Sequence, residues 1–123
     1  MAADELSCYL REVAAIPRLT PDEEIKLARH LGADDPLREA YQKDLVESNL
    51  YLVVEIVERY RHTATGWLQA GGDAIELVME GNIGLMRAAD SFSADSGVSF
   101  RVHAAAIVER AIQETISRGP SRH

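Results

Sequence analysis

The stretch ELVMEGNIGLMRAAD, Glu76 to Asp90, decides how this chain folds. Ile75, Val78, Met79, Ile83, Leu85, Met86 and Ala89 recur at helical spacing and close at Phe92, yet Gly81 and Gly84 lie inside the pattern. Each glycine costs a helix interior about 1 kcal/mol relative to alanine. Two such costs in one turn mark a place where something approaches the backbone. Either the chain's own helices pack there, with Glu80 a solvated charge, or a partner's helix does, with Glu80 and Asn82 pointing outward.

The same periodicity extends in both directions. Asp73 is placed to cap this helix, with Glu76 as its capping-box partner. Beyond Phe92, SADSGVS is a turn; Ser99 starts a last helix that ends at Gly119-Pro120. Upstream, Asp35 to Arg61 reads as the longest helix, capped by Asp35 with Pro36 at its first position. Val46, Asn49, Leu50, Val53, Val57 and Tyr60 trace its apolar face. Leu6, Tyr9, Leu10, Val13 and Ile16 form an earlier stripe, ended by Pro17. Thr20, Pro21 and Glu23 then open a helix carrying Ile25, Ala28 and Leu31 that stops at Gly32. Thr63 to Gly72, around Trp67, reads as a loop or a broken short helix, and Trp67 as a partner contact or a hydrophobic plug. Nothing alternates with period two, so the expected fold is all-α.

The bulk numbers restrict the function. At 123 residues, 46% hydrophobic and 27% charged, the chain is sized and composed for one ordinary globular core. No apolar run reaches the roughly 20 residues that span a bilayer, and the N-terminus lacks a signal pattern, which implies a cytoplasmic protein with no membrane partner. A net charge of −7 denies the chain the overall positive field on which nucleic-acid binding rests. The lone Cys8 reads as a half-buried structural thiol. His30, His62, His103 and His123 are scattered, and no His, Cys or carboxylate grouping has metal-ligand spacing. No glycine loop follows a strand to cradle phosphate. Neither a cofactor, a metal nor an enzymatic activity is expected.

Three segments, in order, resemble the sigma-70 family of bacterial RNA polymerase sigma factors: YLREVAAIPRLTPDEEIKLARHL (Tyr9 to Leu31), DLVESNLYLVVEIVERY (Asp44 to Tyr60) and ELVMEGNIGLMRAADSF (Glu76 to Phe92). The resemblance covers regions 1.2 and 2, from about Leu6 to Ile116. It implies a region 1.2-like helix pair over residues 1–34, a region 2-like helical domain over 35–118 and a tail over 119–123. It also implies docking on the clamp helices, a coiled coil of the β′ subunit of the polymerase core. Carried over position by position, the contacts fall on Glu76, Met79, Glu80, Asn82 and Met86. The family usually has glutamine at Met79 and aspartate at Glu76, so one hydrogen-bonding group is lost and one charge kept. This resemblance favours the partner reading of Gly81 and Gly84.

The last helix departs from the family. Promoter-opening members carry a tyrosine and paired tryptophans there to stack on unpaired bases, followed by cations. Here those positions hold His103, Ala106, Ile107 and Glu109, with Glu114 at a further usually basic position. Base–aromatic stacking contributes about 1–3 kcal/mol per base, and alanine supplies almost none of it. The remaining candidates for contact with −10 DNA are Phe100, Arg101, His103 and Arg110, with Phe100 equally a core residue. Nothing in these 123 residues resembles region 3 or the helix-turn-helix of region 4. The expected function is a sigma-70-like initiation protein that binds polymerase, with −10 recognition and melting weakened or lost. The alternatives are a sigma-like regulator or competitor that binds polymerase without DNA, and a helical interaction protein with another partner.

Overall fold

A computed structural model describes residues 2–32, 34–61 and 65–120. His62, His123 and the end of the tail lie outside the described residues. The elements are α1 (Ala2–Ala15), α2 (Pro21–Ala28), α3 (Arg38–Ser48), α4 (Leu50–Arg61), α5 (Thr65–Gln69), α6 (Ala74–Ser91) and α7 (Phe100–Arg118). A 3-10 turn at Ala94–Ser96 joins the last two. Among the described residues there is no strand. The all-α expectation holds.

Local chemistry explains most of the boundaries. Thr20 accepts from the Glu23 N–H at 3.2 Å while Glu23 Oε1 accepts from the Thr20 N–H at 2.9 Å, the reciprocal box that starts α2. Asp73 accepts from the Glu76 N–H at 3.0 Å, and Ser99 from the Val102 N–H at 3.2 Å. Gly119, at φ 85°, closes α7 in a backbone region that only glycine enters cheaply.

Three boundaries differ from those expected. The long helix breaks at Asn49 into α3 and α4, so α7 and α6, not the Asp35–Arg61 segment, are the longest helices. Asn49 is buried, and its Nδ2 donates to the Leu45 carbonyl at 2.8 Å, joined there by Ser48 Oγ at 3.2 Å. Side chains that take up backbone acceptors bend helices in this way. The start of α3 also moves: Asp35 Oδ1 accepts from the Leu37 N–H at 2.8 Å in a turn, and the helix begins at Arg38. Likewise α2 stops at Ala28 instead of Gly32, because the chain tightens through His30 N–H to Leu27 and Leu31 N–H to Ala28 contacts.

The core lies where α4, α6 and α7 meet. Val53, Ile56 and Val57 of α4 pack with Leu77, Val78, Leu85 and Ala88 of α6 and with Ala104, Val108 and Ile112 of α7. Ala28 and Leu31 join the same cluster from the α2 side. Trp67 is the hydrophobic plug: it is buried, its Nε1–H donates to the Asp73 carbonyl at 3.2 Å, and its ring lies where a Gly72 side chain would stand.

The glycines serve this internal packing. A Cβ at Gly81 would lie 2.6 Å from Val53 Cγ1 and 3.3 Å from Ile112 Cδ1. At Gly84 it would lie 3.1 Å from Ala111 Cβ and 3.3 Å from Val108 Cα. Gly81 faces α4 and α7, Gly84 faces α7, and both are buried, so the approaching helices belong to the chain itself. The partner reading of the glycines is thereby overturned.

Candidate functional site

With Gly81 and Gly84 turned inward, the opposite side of α6 is determined by helical geometry. The seven-residue apolar stripe read from sequence splits in two. Val78, Leu85 and Ala89 go into the core with Leu77 and Ala88, while Met79, Ile83 and Met86 stand outside at 61%, 39% and 49% exposure. Spacings of four and three place these three along one line, with Glu76 and Glu80 on the same flank. Long apolar side chains aligned on one helix face, with acidic neighbours, suit an apolar helical surface that carries cations.

The polar members of this face are engaged within the chain. Glu80 Oε2 lies 3.9 Å from Arg118 Nη2, at the last turn of α7. Asn82 does not point outward as expected: its Nδ2 donates to the Tyr9 hydroxyl of α1 at 2.9 Å. The reason is angular, since Asn82 follows the core-facing Gly81 by one position and swings toward α1 instead of solvent. Its Oδ1 is buried without a hydrogen-bond partner. At the far end of the helix Asp90 Oδ1 accepts from Gln42 Nε2 at 3.0 Å, which ties α6 to α3.

On α7 the four candidate DNA residues are scattered in role. Phe100 is 1% exposed and packs edge-on against Phe92, with ring centroids 5.3 Å apart. It is a core residue and presents no face to a base. His103 is half-buried, with Nε2 3.0 Å from Ser91 Oγ and its ring 5.4 Å from Phe92. Arg101 lies 3.8 Å from Glu55 Oε2, and Arg110 pairs with Glu114 at 3.8 Å on the same helix. Glu109 is not only a misplaced anion, because its Oε1 accepts from the Tyr60 hydroxyl of α4 at 2.7 Å. Val102 is exposed, and so is Ala106, one of the two positions where the resemblance implies tryptophan.

Three features escaped sequence reasoning. Ile83 was counted as core because its spacing fits the buried stripe as well as the exposed one. Cys8, read as half-buried, is exposed. A groove of about 560 Å³ runs between α2, α4 and the start of α7. At its end Arg18 lies 3.8 Å over the Tyr51 ring, and Arg18 and Glu55 are 3.7 Å apart. With Glu24 and Glu55 beside Arg18 and Arg101, its charges balance. Among the described residues no group of His, Cys, Asp or Glu could hold a metal ion. None of the described helices is long and apolar enough to cross a membrane.

The fold is a small helical module with an exposed apolar row along one side of α6. Residues 45–119 match Sigma-70 region 2, and residues 4–37 match Sigma-70 factor, region 1.2. The chain belongs to the sigma-70 family. It is 35% identical over 114 residues to RNA polymerase sigma factor SigA of Clostridium acetobutylicum and 38% identical over 114 residues to SigA of Listeria monocytogenes. It is 32% identical over 115 residues to RNA polymerase sigma factor RpoS of Coxiella burnetii. These alignments cover 93%, 93% and 94% of the chain but only 28%, 28% and 30% of the respective relatives. The chain therefore spans under a third of the length of these sigma factors.

Proposed function

We propose that this chain is a sigma-type transcription initiation module that docks on the β′ clamp helices of RNA polymerase core, without the capacity to melt a −10 element. The observation that carries the docking is the row of exposed Met79, Ile83 and Met86 beside Glu76 and Glu80, on a helix whose other side is fully used by the core. A monomer gains nothing from leaving such a row in water, and a helical partner buries it. Asn82 belongs to the interface only indirectly in this conformation, since Tyr9 occupies it. The names of the relatives supply the partner class, RNA polymerase.

The second half of the reading rests on α7. Phe100 is enclosed, Ala106 replaces a ring, Glu109 is committed to Tyr60, and both arginines have carboxylate neighbours. Stacking and phosphate neutralisation both lose their means. This favours a protein that occupies the clamp as a regulator or competitor over one that opens promoters.

The test is co-purification with core polymerase, comparing the wild type with Glu80→Arg, together with anisotropy using a single-stranded −10 oligonucleotide. Retained polymerase with the wild type, loss with the variant and no saturable DNA binding are expected. Unchanged capture by Glu80→Arg removes the case for this face. Base-dependent micromolar DNA affinity removes the case against melting.

A further inference from the structure

The chain has three methionines, and two of them, Met79 and Met86, stand on the same exposed face of α6. Met1 lies outside the described residues. At 61% and 49% exposure both side chains are open to small oxidants, and among the described residues no methionine is part of the core. Leu77, Val78, Leu85 and Ala88 fill the core side of the same helix, so chemistry at the two sulfurs leaves that side untouched. Of the other oxidisable side chains, Trp67 is buried and Cys8 is exposed on α1.

We infer that Met79 and Met86 are paired oxidation sites at which hydrogen peroxide switches the docking face off. In each step the thioether sulfur attacks one peroxide oxygen. The O–O bond breaks, an S–O bond forms and water leaves, so sulfur gives up two electrons and the peroxide takes them. A methionine sulfoxide reductase reverses the step, with two thiols becoming a disulfide and the oxygen departing as water. The product carries a polar acceptor where an apolar side chain stood. A helix packed on the Met79–Ile83–Met86 row encloses that oxygen in apolar surface, and a buried acceptor without a donor is costly. Seven positions separate the two sulfurs, about two helical turns, so one partner helix lying along the row meets both. The inference rests on the docking reading above and adds how that face is regulated.

The test treats the whole chain with hydrogen peroxide, removes the excess with catalase, and locates the added oxygen by peptide mass spectrometry. A thiol reductant then returns reversibly oxidised Cys8 to the thiol and leaves sulfoxides in place. Titration calorimetry with core RNA polymerase follows. One oxygen on each of Met79 and Met86, an unfolding midpoint near that of the untreated chain and binding weakened by about 10-fold or more are expected. Methionine sulfoxide reductases for both epimers should restore the affinity. The double variant Met79→Leu, Met86→Leu keeps the apolar volume and Cys8, and is expected to bind with or without peroxide treatment. Equal binding before and after both sulfoxides form overturns the inference, as does equal peroxide sensitivity in the leucine variant. Resistance of the two methionines to peroxide overturns it too, and so does a fallen midpoint, which would assign the loss to the fold. An untreated chain that does not bind polymerase at all sinks the docking reading itself, a separate result.

Discussion

The hydroxyl of Tyr60 on α4 donates to Glu109 Oε1 on α7 at 2.7 Å and accepts from Gln113 Nε2 at 2.6 Å. This three-residue contact crosses two of the helices that build the core. The Glu109 hydrogen bond, with partial burial second, raises the phenol above the ordinary tyrosine range. Glu109, which stands where a promoter-opening helix wants a cation, is therefore also a structural tie.

That tie has a pH signature. The folded-state value of Tyr60 is raised over the unfolded one, so its contribution is complete below the unfolded value, about 10, and disappears as pH rises through the folded value. The stability difference between wild type and Tyr60→Phe, measured by urea unfolding, is expected to favour the wild type near neutrality and to shrink in strong alkali. A difference that grows with alkalinity would contradict the hydrogen bond.

Gly81 is required by Val53. The 2.6 Å approach of an added Cβ to Val53 Cγ1 forces a stiff, buried, β-branched side chain to move. Overpacking of this kind costs about 1–3 kcal/mol, against about 1 kcal/mol gained in helix propensity. Gly81→Ala is expected to destabilise by about 1–2 kcal/mol in chemical denaturation. In a Val53→Ala background the same change should become neutral or stabilising, and the double-mutant cycle isolates the contact. An identical cost in both backgrounds would mean the strain lies elsewhere.

How much of this was legible depends on which interactions are local. The caps at Thr20, Asp73 and Ser99 and the stop at Gly119 were readable because each involves residues within three positions. The break at Asn49 was not, because periodicity alone assigned Asn49 to a continuous face, whereas its side chain competes for the Leu45 carbonyl. The two sides of α6 were merged for a related reason. Met79, Ile83 and Met86 share helical spacing with buried positions, and only the packing of α4 and α7 against Gly81 and Gly84 decides which stripe is inside. Asn82 and Phe100 failed as exposed site residues because burial by a distant element, α1 or the α6–α7 corner, leaves no local trace. The family resemblance points to α6 and cannot supply its rotation.

The junction of α2 and α3 should weaken in acid. Asp35 accepts from the Leu37 N–H and sits 3.1 Å from His30 Nδ1, and these contacts, the backbone one first, lower its carboxyl below the usual range. His30 also stacks on Tyr41 at 4.4 Å. With the folded value depressed, the stabilisation is present above the unfolded value of about 3.9 and is lost as pH falls through the folded one. Wild type is expected to exceed Asp35→Asn in denaturant midpoint near pH 6, with the gap closing toward roughly pH 2. A gap that is constant across this range would show that the carboxylate charge plays no part.

The proposed docking face is centred on apolar side chains, and this sets its expected response to salt and mutation. Met79, at 61% exposure, is the most open large hydrophobe among the described residues, with Met86 two helical turns beyond it. Centrally placed side chains that become desolvated dominate interface energies, whereas rim charges mostly alter association rate and salt dependence. Met79→Asp is therefore expected to weaken binding to core polymerase by about 10-fold or more. Raising salt from low to moderate concentration should cost less, because the Met79–Ile83–Met86 row is not screened. The unfolding midpoint should stay near that of the wild type, since Met79 contributes nothing to the core. Calorimetry on wild type and variant at two salt concentrations separates the possibilities. If Met79→Asp binds as well as the wild type while salt abolishes both, the acidic flank at Glu76 and Glu80 is the interface and the methionine row is incidental.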